Sequence, residues 1–262
     1  MRYDIADLSS CLRALISKRC EIALHGIDAW RDDVKGRAES DSIGKATGSS
    51  NTGVRMHWLY FDQQSPRLLE KAGFSYDSTV GYNEAVGYRA GTTQAFKALD
   101  VERILELPMH IMDTALFFPS RMGLSSDEAT TVVDALINNA SRFGGVLTLN
   151  WHDRSIGPER LWGAFYIGLV EKLKQAQPWF ATAADSVSWF RKRRSASIED
   201  FAKEEGSSKR IKVFLKSSND NTPGLRLRIH KPSASSNSGV EQTTYHTNFT
   251  DVEFNDSAEF EI

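Results

Sequence analysis

The chain has 262 residues, 40% of them hydrophobic and 25% charged, which is the composition of a globular protein of one or two domains and excludes a disordered or fibrous one. Lys and Arg total 32 against 34 Asp and Glu, so the net charge of -2 provides no overall cationic field and makes nucleic acid a poor choice of partner. Cys11 and Cys20 are the only cysteines, too few for a disulfide scaffold, and they leave the redox compartment open. The N-terminal residues lack a signal peptide's apolar core and cleavage site, and no apolar run of about 18 residues occurs, so a cytoplasmic location without a membrane span is expected.

Leu8, Cys11, Leu12, Leu15 and Ile16 form a helical stripe, and EIALH (21–25) reads as a short buried strand. No strand leads into that first helix, so the chain is expected to begin inside a domain. Ser65 is expected to cap a helix with Pro66 in its first turn and Gly73 as its stop, leading into FSYDST. Ser125 and Glu128 make a capping box for a helix with Ala129, Val132, Val133, Leu136, Ile137 and Ala140 on its buried face and Gly144–Gly145 at its end. VLTLNW (146–151) reads as a strand, Pro158 as the opening of a helix reaching about Gln175, and Thr182 with Asp185 as the cap of a last helix ending in RKRR. Alternating strands and helices imply an α/β domain with mostly parallel strands over residues 1–194. The texture then changes: all six Trp precede residue 195, and the last 67 residues hold 20 Ser, Thr or Asn. The alternating runs IKVFLKS, GLRLRIHK, TNFTDVEF and AEFEI, separated by NDNTPG and a Ser-rich loop at 233–239, predict a small antiparallel β unit over 195–262.

His25, His57 and His152 each fall at or just past the end of a predicted strand. In parallel α/β folds, side chains from separate strands converge at those ends. Trp30, Trp58 and Trp151 lie close to them in sequence, and an indole beside a polar group suits stacking on a sugar ring. Taken singly, each histidine is equally well explained as a hydrogen-bonded residue at the rim of the core. His110 fits either a fourth site position or a buried structural one, and His230 and His246 read as surface residues. Imidazoles joined by carboxylates suit a divalent metal such as zinc, and a further imidazole can protonate a leaving group. HExxH, paired CxxC, GxSxG and Walker motifs are absent.

The segments EIALHG, GVRMHW, AGFSYDSTVGY with GYRAGT, ELP followed by an Asp, and VLTLNWHD occur in an order and spacing that resemble the NodB-type polysaccharide deacetylases over residues 3–193. The resemblance implies a distorted (β/α) barrel and a divalent metal, usually zinc, held by one Asp and two His. It also implies a second Asp as general base and a late-strand His as general acid in removing N-acetyl or O-acetyl groups from glycans. On that pattern His25 matches the first metal-binding histidine. Ala29 stands where the second is usual, so His57 is the candidate replacement, with Asp28 as competitor. His152 matches the general acid. Arg55 occupies the arginine of the third motif, Arg89 and Asp113 are assigned to scaffolding, with a structural salt bridge explaining either as well, and Trp58 and Trp151 to substrate binding or scaffolding. The family's first motif, a strand ending in paired aspartates, has no counterpart before His25: Asp32 and Asp33 read as solvated surface, Asp4 and Asp7 as N-terminal helix charges. The expected protein is a barrel incomplete at its N-terminus that deacetylates a surface or capsular polysaccharide or its sugar precursor. The alternative is a catalytically inactive glycan-binding relative.

Overall fold

The computed structural model describes residues 5–49, 52–201, 210–215, 222–230 and 249–261. Asp4, His246, the Ser-rich loop at 233–239 and the first half of the NDNTPG turn lie outside them. The chain divides into two compact units, Met1–Val187 and Ser188–Ile262.

The first unit begins with α1 (Ser9–Ser17), β1 (Leu24–Gly26), α2 (Asp33–Thr47), β2 (Val54–Met56), α3 (Ser65–Ala72), β3 (Tyr76–Asp77) and β4 (Leu105–Glu106). These strands pair in parallel in the order β1-β2-β3-β4, with His25 beside Arg55 and Val54 beside Asp77. The Asp32–Asp33 pair starts α2: the Asp32 carboxylate accepts from the Val34 and Lys35 amides, and Asp33 lies in the first turn, where the helix dipole favours negative charge. Ser65 does not cap α3. Asp62 takes that role, its carboxylate accepting from the Gln64 and Ser65 amides, while Ser65 itself is buried. Gly73 ends the helix in the left-handed conformation (φ 95°).

Gly53 shows how tightly β2 and β3 approach. A Cβ there would sit 1.9 Å from the Tyr76 ring, whose hydroxyl donates to Glu21 at 2.6 Å. The other Glu21 oxygen accepts from the Ala184 amide at 2.9 Å. One carboxylate thus ties the segment before β1 to β3 and to Ala184, in the opening turn of a helix whose residues from 188 onward belong to the second unit.

The chain continues through β5 (Ile111–Met112), α4 (Asp113–Phe117), α5 (Ser126–Phe143), β6 (Leu149–Asn150), α6 (Asp153–Ile156), α7 (Gly163–Gln175) and α8 (Ala183–Arg194). β5 pairs in parallel with β6. Leu107 and Met109 donate to the Asp77 and Val80 carbonyls, so the segment from β4 to β5 runs along the loop after β3 before meeting β6. The closed barrel is not found. Among the described residues the parallel strands form one four-stranded and one two-stranded sheet, and β1 and β6 each have a single strand neighbour. The fold is a mixed α/β arrangement with an open parallel sheet.

The capping box at Ser125 and Glu128 is present, and Ala129, Val133 and Leu136 on α5 are buried. They pack with Ile111, Leu116, Leu169 and Leu173 in one core cluster, while Val54, Met56, Leu69, Ala72, Phe74, Val101 and Ile104 form another beneath β1–β4. Pro158 does not open a helix. Residues 157–162 form a turn in which Leu161 is left-handed (φ 59°), and α7 starts only at Gly163, where a Cβ would crowd the Ile156 carbonyl at 2.9 Å.

In the second unit β7 (Ala196–Phe201), β8 (Arg210–Leu215), β9 (Leu225–His230), β10 (Phe249–Phe254) and β11 (Ser257–Glu261) all pair antiparallel, in the orders β11-β8-β7 and β10-β9. Val213, Leu225 and Phe254 form its core, against which Trp189 packs. Arg228 grips Asp251 with two hydrogen bonds and lies 3.8 Å over the Phe249 ring, and His230 is exposed. No helix among the described residues is long and apolar enough to cross a membrane.

Candidate active site

His25, His57 and His152 stand at or beside the ends of the short parallel strands. His25 on β1 and His57 just past β2 face each other edge-on, ring centroids 5.2 Å apart. Partial burial, then the neighbouring His57 and Arg55, lower the basicity of His25, and His152 lies near enough to add to that effect. The neutral imidazole, the form that binds a metal, is therefore favoured. His57 opens a turn in which two consecutive non-glycine residues, Trp58 (φ 58°) and Leu59 (φ 54°), are left-handed. Each costs roughly 1–2 kcal/mol because Cβ crowds the following carbonyl oxygen. The turn leaves Trp58 55% exposed beside the His57 ring.

His152 caps the end of the β6 segment, and Asp113 starts α4 directly after β5, so the parallel register brings two residues 39 positions apart into contact. His152 Nδ1 lies 2.7 Å from Asp113 Oδ1, and the His152 amide donates to Oδ2 at 2.8 Å. The Asp113 side chain is 0% exposed and that of His152 43%. Burial alone would raise the Asp113 pKa, but hydrogen bonds from His152 and Ser155 hold the carboxyl below its ordinary value. An ionised Asp113 requires the proton on Nδ1, which leaves Nε2 as the ring nitrogen open to exchange a proton. The salt-bridge partner of Asp113 is thus a histidine of the site itself.

Arg55, the register partner of His25, is anchored on the loop after β3: its guanidinium donates to the Ser78 carbonyl at 3.0 Å and to the Ser78 hydroxyl at 2.9 Å. Nearby, the buried carboxyls of Asp77 and Glu106 share a side-chain hydrogen bond. Burial pushes Asp77 up to about 6, and burial together with the Asp77 charge raises Glu106 well above the usual carboxylate range. Glu106 also accepts from the Val80 amide at 2.7 Å, and Thr79 donates to Asp77. Sequence reasoning gave these two acids no role. Their signal was an acidic residue as the last position of each of two adjacent short strands.

The remaining candidates are placed as follows. Arg89 donates to the Gly81 carbonyl at 2.8 Å and stacks over the Phe61 ring. Trp151 packs parallel to Phe165 and against Tyr166, with its indole nitrogen buried and unpaired among the described residues. Asp28 has one oxygen on Arg31 and the other on Lys35, which commits it to α2. His110 is buried, accepts from the Thr148 amide at 3.1 Å and meets the Thr92 carbonyl at 3.3 Å, so both ring nitrogens are used within the core.

A catalytic zinc usually takes three protein ligands. Among the described residues no three His, Cys, Asp or Glu side chains come together as such a set. His25 and His57 are two donors of the kind such a site uses, their rings edge-on with centroids 5.2 Å apart.

No family model matches the chain, and no curated protein matches it in sequence. In fold it is similar to the crystal structure of a "putative polysaccharide deacetylase from Mycobacterium smegmatis", with a TM-score of 0.52 over 71% of this chain and 68% of that one, at 20% identity. At the level of fold the chain is deacetylase-like.

Proposed function

We propose that the chain is a hydrolase that removes N-acetyl or O-acetyl groups from a polysaccharide or oligosaccharide, surface and capsular glycans being the class the sequence resemblance points to. The observation that carries this reading is the Asp113–His152 pair, on a chain whose His25 and His57 rings face each other and whose His152 lies near enough to His25 to lower its basicity. Asp113 fixes the His152 tautomer, and Nε2 delivers a proton to the departing amine or alkoxide of the sugar. Trp58 offers an exposed indole face to the sugar ring. A divalent ion, zinc by the nature of the donors, belongs to this reading with His25 and His57 as two of its ligands. Such an ion would polarise the acetyl carbonyl.

A second reading, a glycan-binding relative without catalysis, is favoured by one observation: Asp28, the competing carboxylate, is engaged by Arg31 and Lys35, and among the described residues no third ligand joins the two imidazoles. The deciding experiment measures zinc stoichiometry and acetate release from N-acetylglucosamine oligomers for the parent, His25→Ala, His57→Ala and His152→Ala. About one zinc per chain, lost in the first two variants, with acetate release lost in all three, supports the hydrolase. Oligomer binding unchanged by chelator, with no acetate released by the parent, supports the binding protein.

A further inference from the structure

We infer that Asn83 and Thr79 are positioning residues that clamp the left-handed Trp58–Leu59 turn and so hold His57 against His25. Two successive left-handed residues bearing side chains do not persist by local preference, and such a conformation survives only where its surroundings over-determine it. Three constraints do so here. Ahead of the turn, the Met56 amide donates to the Thr79 hydroxyl at 3.0 Å, and that hydroxyl donates in its turn to the Asp77 carboxylate, so its orientation is spoken for in both directions. Within the turn, Asn83 Nδ2 donates to the Trp58 carbonyl at 2.6 Å. At its end the Leu59 side chain is buried with Met109, Met112 and Ala115.

Thr79 and Asn83 belong to a single loop, the one that follows β3, and His57 lies between their two points of attachment. Released from either, residues 58 and 59 can fall back to the ordinary right-handed or extended regions, which swings the His57 ring away from its place 5.2 Å from His25. Thr79 is fully buried and its hydroxyl accepts from the Met56 amide, whereas Asn83 is only half-buried. Any part this clamp plays in deacetylation rests on the reading above; its hold on His57 does not.

The test is the nuclear Overhauser cross-peak between the His25 and His57 rings in histidine-labelled full-length protein, with the melting temperature as the check on folding. The cross-peak is expected in the parent and in Thr79→Ser, which keeps the hydroxyl, and is expected to disappear in Asn83→Ala and Thr79→Val. It is expected to return in part when Trp58→Gly is added to Asn83→Ala, because glycine adopts positive φ without the Cβ cost and leaves only Leu59 strained, held by its buried side chain. A cross-peak that survives in Asn83→Ala, or one that Trp58→Gly fails to restore, overturns the inference. Should Thr79→Val fail to fold, the Asn83→Ala pair decides alone. Neither zinc nor acetate release enters the readout, so a failure of the deacetylase reading leaves this test intact.

Discussion

Asp77→Asn is expected to become progressively more stabilising, relative to the parent, as pH rises. Asparagine keeps the shape of the side chain: its oxygen can accept from Thr79, and its amide can donate to Glu106 in place of the proton that the two carboxyls share. In the parent, burial moves the Asp77 pKa from 3.8 to about 6. A raised carboxyl pKa means that the folded state holds its proton more tightly than the unfolded chain does. The associated stability is complete below pH 3.8 and is lost as pH rises through 6, a total of about 3 kcal/mol. Asparagine carries no such dependence, and it also removes the negative charge that helps to raise Glu106. The difference in unfolding free energy between variant and parent should therefore grow by about 3 kcal/mol between roughly pH 4 and pH 7. Urea unfolding followed by tryptophan fluorescence at several pH values measures it; taking the difference cancels the groups that titrate alike in both proteins, and the smaller upward shift of Glu106 in the variant adds to the difference with the same sign. A difference that stays flat, or that turns against the variant above pH 6, would mean that Arg55 stabilises Asp77 as a carboxylate, and would refute the reasoning.

Three other outcomes follow from the geometry. Asp113→Asn disturbs the tautomer and orientation of His152 and should lower the rate of acetate release by roughly 10²–10⁴-fold with little change in KM; an equal loss of affinity instead would make Asp113 a substrate contact. His110 is held neutral by burial, so its share of stability is present above pH 6.5 and is lost as pH falls. The drop in urea midpoint between neutral pH and about pH 5 should accordingly be smaller in His110→Phe, and an unchanged drop counts against this assignment. Gly53→Ala places a methyl group 1.9 Å from a Tyr76 ring that Glu21 holds in place, at a cost of about 1–3 kcal/mol. A melting temperature equal to the parent's would show that the ring can move aside.

Where sequence reading succeeded, the information lay within a turn or two of helix or a few residues of strand. The α5 helix is legible because its cap, its apolar stripe and its terminal glycines all fall within a local period, and the alternating runs at 210–215, 225–230 and 249–254 are legible for the same reason. Misreadings occurred where a competing local bond decided. Asp62 accepts from the Gln64 and Ser65 amides and from the Ser65 hydroxyl, so Ser65 enters α3 as a bonded helix residue rather than its cap, and Gly157 with the left-handed Leu161 keeps Pro158 in a turn. Asp32 is the surface charge it reads as, and its further role as the N-cap of α2 appears only with the backbone that it binds.

By itself the sequence determined that strands alternate with helices, that an antiparallel unit follows, and that His25, His57 and His152 stand at strand ends. Tertiary structure alone decided that the parallel sheet stays open, that Asp113 meets His152, that Asp77 and Glu106 share a proton, and that a strained turn aims His57 at His25. The division has a physical cause. Periodicity and capping are written in neighbouring residues, whereas each contact of the site joins strands brought together by parallel register, and a register is set by the packing of whole elements rather than by any one segment.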